Sequence, residues 1–214
     1  MIERVLGVSR RGKQIVVHEA EATGGLLVFG AIHGDEPASA ALCERFLASL
    51  GTTTSRAVPA PLTVVPVVNP DGLARRQKDN AAGVDLNRNF PARSWQVGTP
   101  GGYDPGPRPL SEPESTLLEA LVRQRRPRVI VAVHQPFACV NWDGPADAVA
   151  AIMSEHSGLP LQPSIGYPTP GSFGAWAGVD LGLAVVTLEL GAEVDEAQMR
   201  AAVSSLHAAW ACSA

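Results

Sequence analysis

No apolar stretch in this chain reaches bilayer length, and no early segment joins a basic start to an apolar core and a small-residue cleavage site. Neither a membrane span nor a secretory leader is expected, and a cytoplasmic setting follows as the default. Long basic runs are also missing. With a formal net charge of −4, nothing in the chain tracks a phosphate backbone, which argues against a nucleic-acid partner. Arg123, Arg125, Arg126 and Arg128 do cluster, but where a helix should end, a place the helix dipole makes favourable for positive charge. Cysteine is scarce. Cys43, Cys139 and Cys212 are odd in number and lack ligand spacing, which suits reduced thiols in a reducing compartment. Cys139, close after His134, is the only one of them considered as a metal ligand, and it is the weaker candidate.

What is present is the composition of a folded globular protein: 45% hydrophobic and 18% charged residues leave little room for disorder. A length of 214 residues fits one domain, 1–214, without need of a second.

The opening reads as a β-hairpin, 3–8 and 13–19, turned at Arg10-Arg11-Gly12, before a buried strand over 26–32. Apolar positions predict a helix over 36–50, a loop over 52–61 and a strand over 62–68. Residues 69–111 lack sustained periodicity and are rich in Pro, Gly, Asn and Arg. So long an irregular stretch usually carries function. Ser111 and Glu114 predict a capping box opening a helix to about Arg126, followed by a strand over 129–133. A helix over 145–157, a loop over 166–174, a strand over 183–190 and a helix over 193–212 complete the reading. The strands are continuous apolar runs, so both of their faces should be covered. The expected fold is α/β: a three-layer α/β/α sandwich with a mixed, mostly parallel central sheet.

Three of the apolar runs deliver ionisable residues at their ends: His33 with Glu36, His134, and Glu189. Two imidazoles and a carboxylate can hold one zinc, with a further carboxylate beside it as a base. Gly34, inside His-Gly-Asp-Glu, would let the backbone bend closely around a metal. Taken alone, the His-x-x-Glu spacing is a weak signal, since a solvated helix start explains Asp35 and Glu36 equally well.

Its company is more specific. Asn69-Pro70-Asp71-Gly72 and Asp85-Leu86-Asn87-Arg88-Asn89-Phe90-Pro91 follow in order, then Ser111-Glu112-Pro113-Glu114, His134 with Ala138-Cys139, Gly166-Tyr167-Pro168-Thr169-Pro170-Gly171-Ser172-Phe173-Gly174, and Glu189. From about residue 26 onward the chain thus resembles the zinc carboxypeptidase family, and within it the murein peptide amidases of bacteria.

The resemblance implies one Zn2+ held by His33, Glu36 and His134, with Glu189 as the general base. It implies Asp85 as the oxygen that orients His33, and Asn87 and Arg88 as the receivers of a substrate carboxylate. The expected substrate is a small cell-wall peptide, cut between a D-glutamate side chain and diaminopimelate during recycling. One departure stands out. Where the family places an arginine for the developing oxyanion, this chain has Lys78-Asp79-Asn80, so Lys78 takes that role unless Arg75 or Arg76 swings in. Tyr167 falls near the tyrosine that covers substrate, and Trp142 and Asp143 could line the pocket, Asp143 pairing a substrate ammonium. His18, His156 and His207 have no constellation around them. Two rivals remain: an acyl-amino-acid amidohydrolase of the succinylglutamate desuccinylase and aspartoacylase type, and a catalytically weak zinc-dependent peptide-binding protein.

Overall fold

The computed structural model describes residues 1–51, 60–98 and 101–214. Most of the loop expected over 52–61 lies outside the described residues. Seven strands, β1 (Ile2–Val8), β2 (Gln14–Glu19), β3 (Leu26–Phe29), β4 (Leu62–Val65), β5 (Val129–His134), β6 (Phe137–Asp143) and β7 (Ala184–Gly191), form one sheet. Its order is β1-β2-β4-β3-β5-β7-β6. The four central strands run parallel, and antiparallel pairs flank them on both sides.

β3 and β5 are buried along their whole length, as their unbroken apolar sequences require. Alternate side chains serve opposite layers. Leu26 and Val28 pack with helices α1 (Pro37–Leu50), α4 (Asp147–Ser157) and α5 (Glu196–Cys212) through Leu42, Phe46, Met153 and Leu206. Leu27 and Phe29 face the other way, onto α3 (Pro113–Arg125) and the aromatic group Phe90, Phe173 and Trp176. The result is the expected sandwich with a mixed sheet.

Several boundaries differ from the sequence reading, each for a local reason. The strand over 26–32 stops at Phe29 because Ala31 takes a positive φ of 44° and gives its N–H to the Ser39 hydroxyl. β4 ends at Val65, where Pro66 has no N–H for the ladder. The stretch 69–111 is not structureless. Asn69 caps a short helix, α2 (Pro70–Arg75), through Gly72 N, and Asp85 caps a 3-10 turn, Leu86–Arg88, through Asn87 N.

The capping box at Ser111 does not form. Glu112 occupies the N-cap of α3, and Ser111 Oγ instead meets Asn89 Nδ2 and a Glu112 oxygen. A capping box does open α5, between Asp195 and Gln198, so that helix starts at Glu196. Strand β6 and a π-helix over Gly174–Asp180 were likewise not foreseen. The arginines at the end of α3 also divide. Arg123 pairs with Glu119 on the surface, whereas Arg125 is buried and donates to Ala20 O, Ala22 O and Thr63 Oγ1.

Candidate active site

Parallel pairing places the ends of β3, β5 and β7 side by side, where the backbone leaves the sheet and side chains face an open crevice. His134 is the last residue of β5 and is paired in register with Glu189 of β7. His33 and Glu36 sit on the turn from β3 into α1. Gly34 within that turn has a different role from the one expected. An added Cβ would lie 2.0 Å from Gly72 C and 2.3 Å from Leu73 N, so the glycine admits the close approach of α2.

The imidazoles of His33 and His134 present Nδ1 to the two oxygens of Glu36, at 2.7 and 3.0 Å. The ligand-capable atoms of these three residues all lie within 4.8 Å of one another. His33 Nε2 meets Asp85 Oδ1 at 3.1 Å, so the ring is gripped on both sides by carboxylates. Burial alone would pull the His33 pKa down, but the charges of Glu36 and then Asp85 push it up to about 10. Glu36 moves the opposite way: burial raises it, yet His134 and His33 bring it to about 2. Asp85 is likewise held below the usual carboxylate range by His33 and Lys78 against its burial.

This donor set fits zinc, which binds imidazole nitrogen and carboxylate oxygen and in hydrolytic sites keeps one position open. The surrounding negative charge fits it too. Glu189 Oε2 is buried with no hydrogen-bond partner among the described residues, and burial raises the pKa of the Glu189 carboxyl above its ordinary value. Asp85 supplies the outer oxygen that metal-bound imidazoles usually require.

All of these except Asp85 line one cavity of about 410 Å³. Lys78, Asn87, Arg88 and Tyr167 line it as well, as the sequence reading expected. Arg75 and Arg76 do not. Arg75 donates to Asp71 O and Asn80 O, and Arg76 closes α2 in a left-handed conformation, so neither replaces Lys78. Asn87 Oδ1 accepts from Phe173 N at 2.9 Å, and Arg88 Nη1 donates to Asn87 O at 2.7 Å. Arg88 is 2% exposed and its Nε is unpartnered among the described residues.

Tyr167 stands at the rim, its ring 6.3 Å from that of Phe137. Asp143 also lines the cavity, whereas Trp142 packs into the core beside α4 and α5. Cys139 is buried outside the cavity and is not among the clustered donor residues, and its thiol is pushed up to about 11 by burial and then by Glu189.

Several cavity residues were missed, among them Gln135, Asn141, Thr187 and Tyr103. The centre of the Tyr103 ring lies 3.7 Å from Lys78 Nζ and 5.2 Å from the Arg88 guanidinium carbon, bringing the two cations against one aromatic ring. Its only signal in the sequence was its place inside the irregular stretch 69–111.

A family model described as zinc carboxypeptidase matches residues 4–148. The chain belongs to the zinc carboxypeptidase family. These enzymes are zinc-dependent hydrolases of peptide bonds, and membership favours that reading over the acyl-amino-acid amidohydrolases. Murein peptide amidase A of Escherichia coli K12 is 37% identical over 182 residues, which covers 79% of this chain and 72% of that protein. The protein of the same name from Vibrio campbellii is 33% identical over 80% of this chain and 71% of its own length. Among solved structures, murein-tripeptide amidase from E. coli O157 superposes with a TM-score of 0.81 at 32% identity, covering 97% of this chain and 90% of that one. Thrombin-activatable fibrinolysis inhibitor, at 20% identity and a TM-score of 0.80 over 98% of this chain and 69% of its own, shares the zinc carboxypeptidase fold.

Proposed function

We propose that this zinc carboxypeptidase hydrolyses the amide between the side chain of D-glutamate and diaminopimelate in small murein peptides, using one zinc ion. The observation that carries the reading is that His33, Glu36, His134, Glu189 and Arg88 line a single cavity. The identity to murein peptide amidases over four fifths of the chain supports the substrate class. Zinc, when bound, supplies a Lewis acid that polarises the substrate carbonyl and brings the pKa of water towards neutrality.

His33, Glu36 and His134 hold the ion, and Asp85 fixes the His33 ring through Nε2. Glu189 takes a proton from the attacking water and returns it to the leaving amine, a task suited to a carboxylate whose proton affinity burial has raised. Lys78 faces the negative charge that develops on the carbonyl oxygen. Arg88 and Asn87 receive the substrate's free carboxylate, and Tyr167 closes over the substrate from the rim. We also infer cytoplasmic residence, supported by the free thiols of Cys43, Cys139 and Cys212.

The test compares zinc content and turnover of γ-D-glutamyl-diaminopimelate peptides in the wild type and in Glu189→Gln. The variant should keep one equivalent of zinc and lose activity by a factor of about 100 to 10,000. Full activity in Glu189→Gln assigns the base to another residue. Turnover of N-acyl amino acids alone overturns the substrate assignment.

A further inference from the structure

Helix α1 begins without a cap of its own. Its N-cap residue is Glu36, and both oxygens of that side chain are committed to His33 and His134, so no side-chain cap bond forms. Pro37, at the start of the helix, has no N–H to satisfy, and Ser39 N reaches Glu36 O at 3.1 Å. The Ala38 N–H is left over, one of the donors that a helix start exposes. A residue 97 positions away takes it: Gln135 Oε1 accepts from Ala38 N at 3.0 Å.

The other half of the same amide reaches β7. Gln135 Nε2 donates to Gly191 O at 3.0 Å. β5 and β7 are paired in register as far as His134 and Glu189, where β5 ends. One residue further on, the Gln135 side chain continues the join between the two segments. Gln135 therefore follows one proposed zinc ligand directly, caps the helix that starts at another, and holds the strand end two residues beyond the proposed base. It is half-buried in the wall of the cavity that His134, Glu36 and Glu189 also line. Both bonds need a donor and an acceptor side by side on a stem of this length. An ionised glutamate keeps the acceptor alone, and an asparagine is one methylene shorter.

We propose that Gln135 is a positioning residue that sets the general base against the zinc ligands. This rests on the hydrolytic reading above and deepens it. The Oε1 bond fixes the start of α1, and with it the Glu36 carboxylate that the metal needs. The Nε2 bond fixes the end of β7, and with it the reach of Glu189 to the attacking water. Because the two bonds share one planar amide, a shift of either segment is passed to the other. Proton transfer requires the base within hydrogen-bond reach of the water, so a small displacement of the strand end costs the chemical step rather than substrate binding.

Two variants separate the two bonds. Wild type, Gln135→Glu and Gln135→Met are compared by zinc titration against a competing chelator, and by steady-state hydrolysis of γ-D-glutamyl-diaminopimelate peptides at saturating zinc. Gln135→Glu keeps the acceptor for Ala38 N and loses the donor to Gly191 O. It should hold zinc as tightly as the wild type, while kcat falls by about 10- to 100-fold and KM stays within about twofold. Gln135→Met, similar in length but without either group, should show the same fall in kcat and also bind zinc about 10-fold more weakly. Because this variant is neutral, its fall in kcat cannot come from an added charge. Wild-type kcat per zinc-loaded molecule in both variants overturns the assignment, whatever happens to the melting temperature, and so does undiminished zinc affinity in Gln135→Met. A rise in KM with kcat unchanged also overturns it and makes Gln135 a substrate contact. Weaker zinc binding in Gln135→Met, with no hydrolysis by any of the three proteins, supports the hold on Glu36 and removes the hydrolase reading instead.

Discussion

Lys78 Nζ lies 3.2 Å from Oδ2 of Asp85, and the other oxygen of that carboxylate lies 3.1 Å from Nε2 of His33. One buried acid therefore ties the candidate oxyanion cation to a candidate zinc ligand. The Tyr103 ring beneath Lys78 restrains the ammonium further, so a flexible lysine is held where a rigid arginine fork would otherwise be needed. Lys78→Met should lower kcat by about 100-fold, the usual cost of losing one such donor, with KM nearly unchanged. Zinc content should stay at the wild-type level. Lys78→Arg should match or exceed the wild type, since it keeps the charge and can still pair with Asp85. Steady-state kinetics with metal analysis checks both. Turnover that appears only in Lys78→Arg points to the weakly catalytic, peptide-binding reading.

Arg88 is fixed before substrate arrives, by its bond to Asn87 O and by the wall of Tyr103. Its unpartnered Nε is a donor in waiting. A carboxylate can take two parallel bonds from such a fork, which a lysine ammonium cannot reproduce. Arg88→Lys should reduce kcat/KM by about 10- to 100-fold for peptides with a free C-terminal carboxylate. Peptides amidated at that end should be hydrolysed poorly and equally by both proteins. A parallel fall for both peptide types would assign Arg88 to folding rather than recognition.

The strand ends were legible because their chemistry is abrupt: an unbroken apolar run gives way to His33, His134 or Glu189, and period and polarity change at one residue. The sandwich followed from the same runs. What could not be read depended on partners distant in sequence. Ser111 and Glu114 have the capping spacing, but Asn89 claims Ser111 Oγ. β6 alternates too weakly to announce a strand, and its pairing with β7 defines it. Tyr103 belongs to no motif, and only folding brings it under Lys78 and Arg88.

Arg125 is a case in point, since its sequence context suggested a solvated helix end. Its guanidinium instead holds Ala20 O and Thr63 Oγ1, at 2.7 and 3.1 Å, and lies 3.7 Å from Glu19. These contacts tie the end of α3 to the chain leaving β2 and to β4. Arg125→Met would leave those carbonyls and the Glu19 carboxylate without their donor. A loss of about 2–4 kcal/mol is expected, which for a protein of this size lowers Tm by about 5–15 °C. The exposed Arg123→Ala should stay within about 0.5 kcal/mol of the wild type. Thermal and denaturant unfolding distinguish the two, and activity per folded molecule should be unaltered in both.

Asp143 lines the cavity half-buried, with no ion-pair partner among the described residues, and this state has a signature in the stability of the ligand-free protein. Burial raises its pKa above the ordinary aspartate value that the unfolded chain retains. As pH rises, the unfolded state gives up this proton first, so ionisation disfavours the folded state. That penalty is absent below the ordinary aspartate pKa and complete above the raised folded one. Asp143→Asn removes the charge and hence the penalty. The variant should unfold at a higher temperature than the wild type at pH 7, the gap should narrow as pH falls through the raised pKa, and it should close in strongly acidic buffer. A gap that stays constant across the pH range would show that folding leaves the proton affinity of Asp143 unchanged, and one that widens in favour of the wild type as pH rises would show a counter-charge beside it.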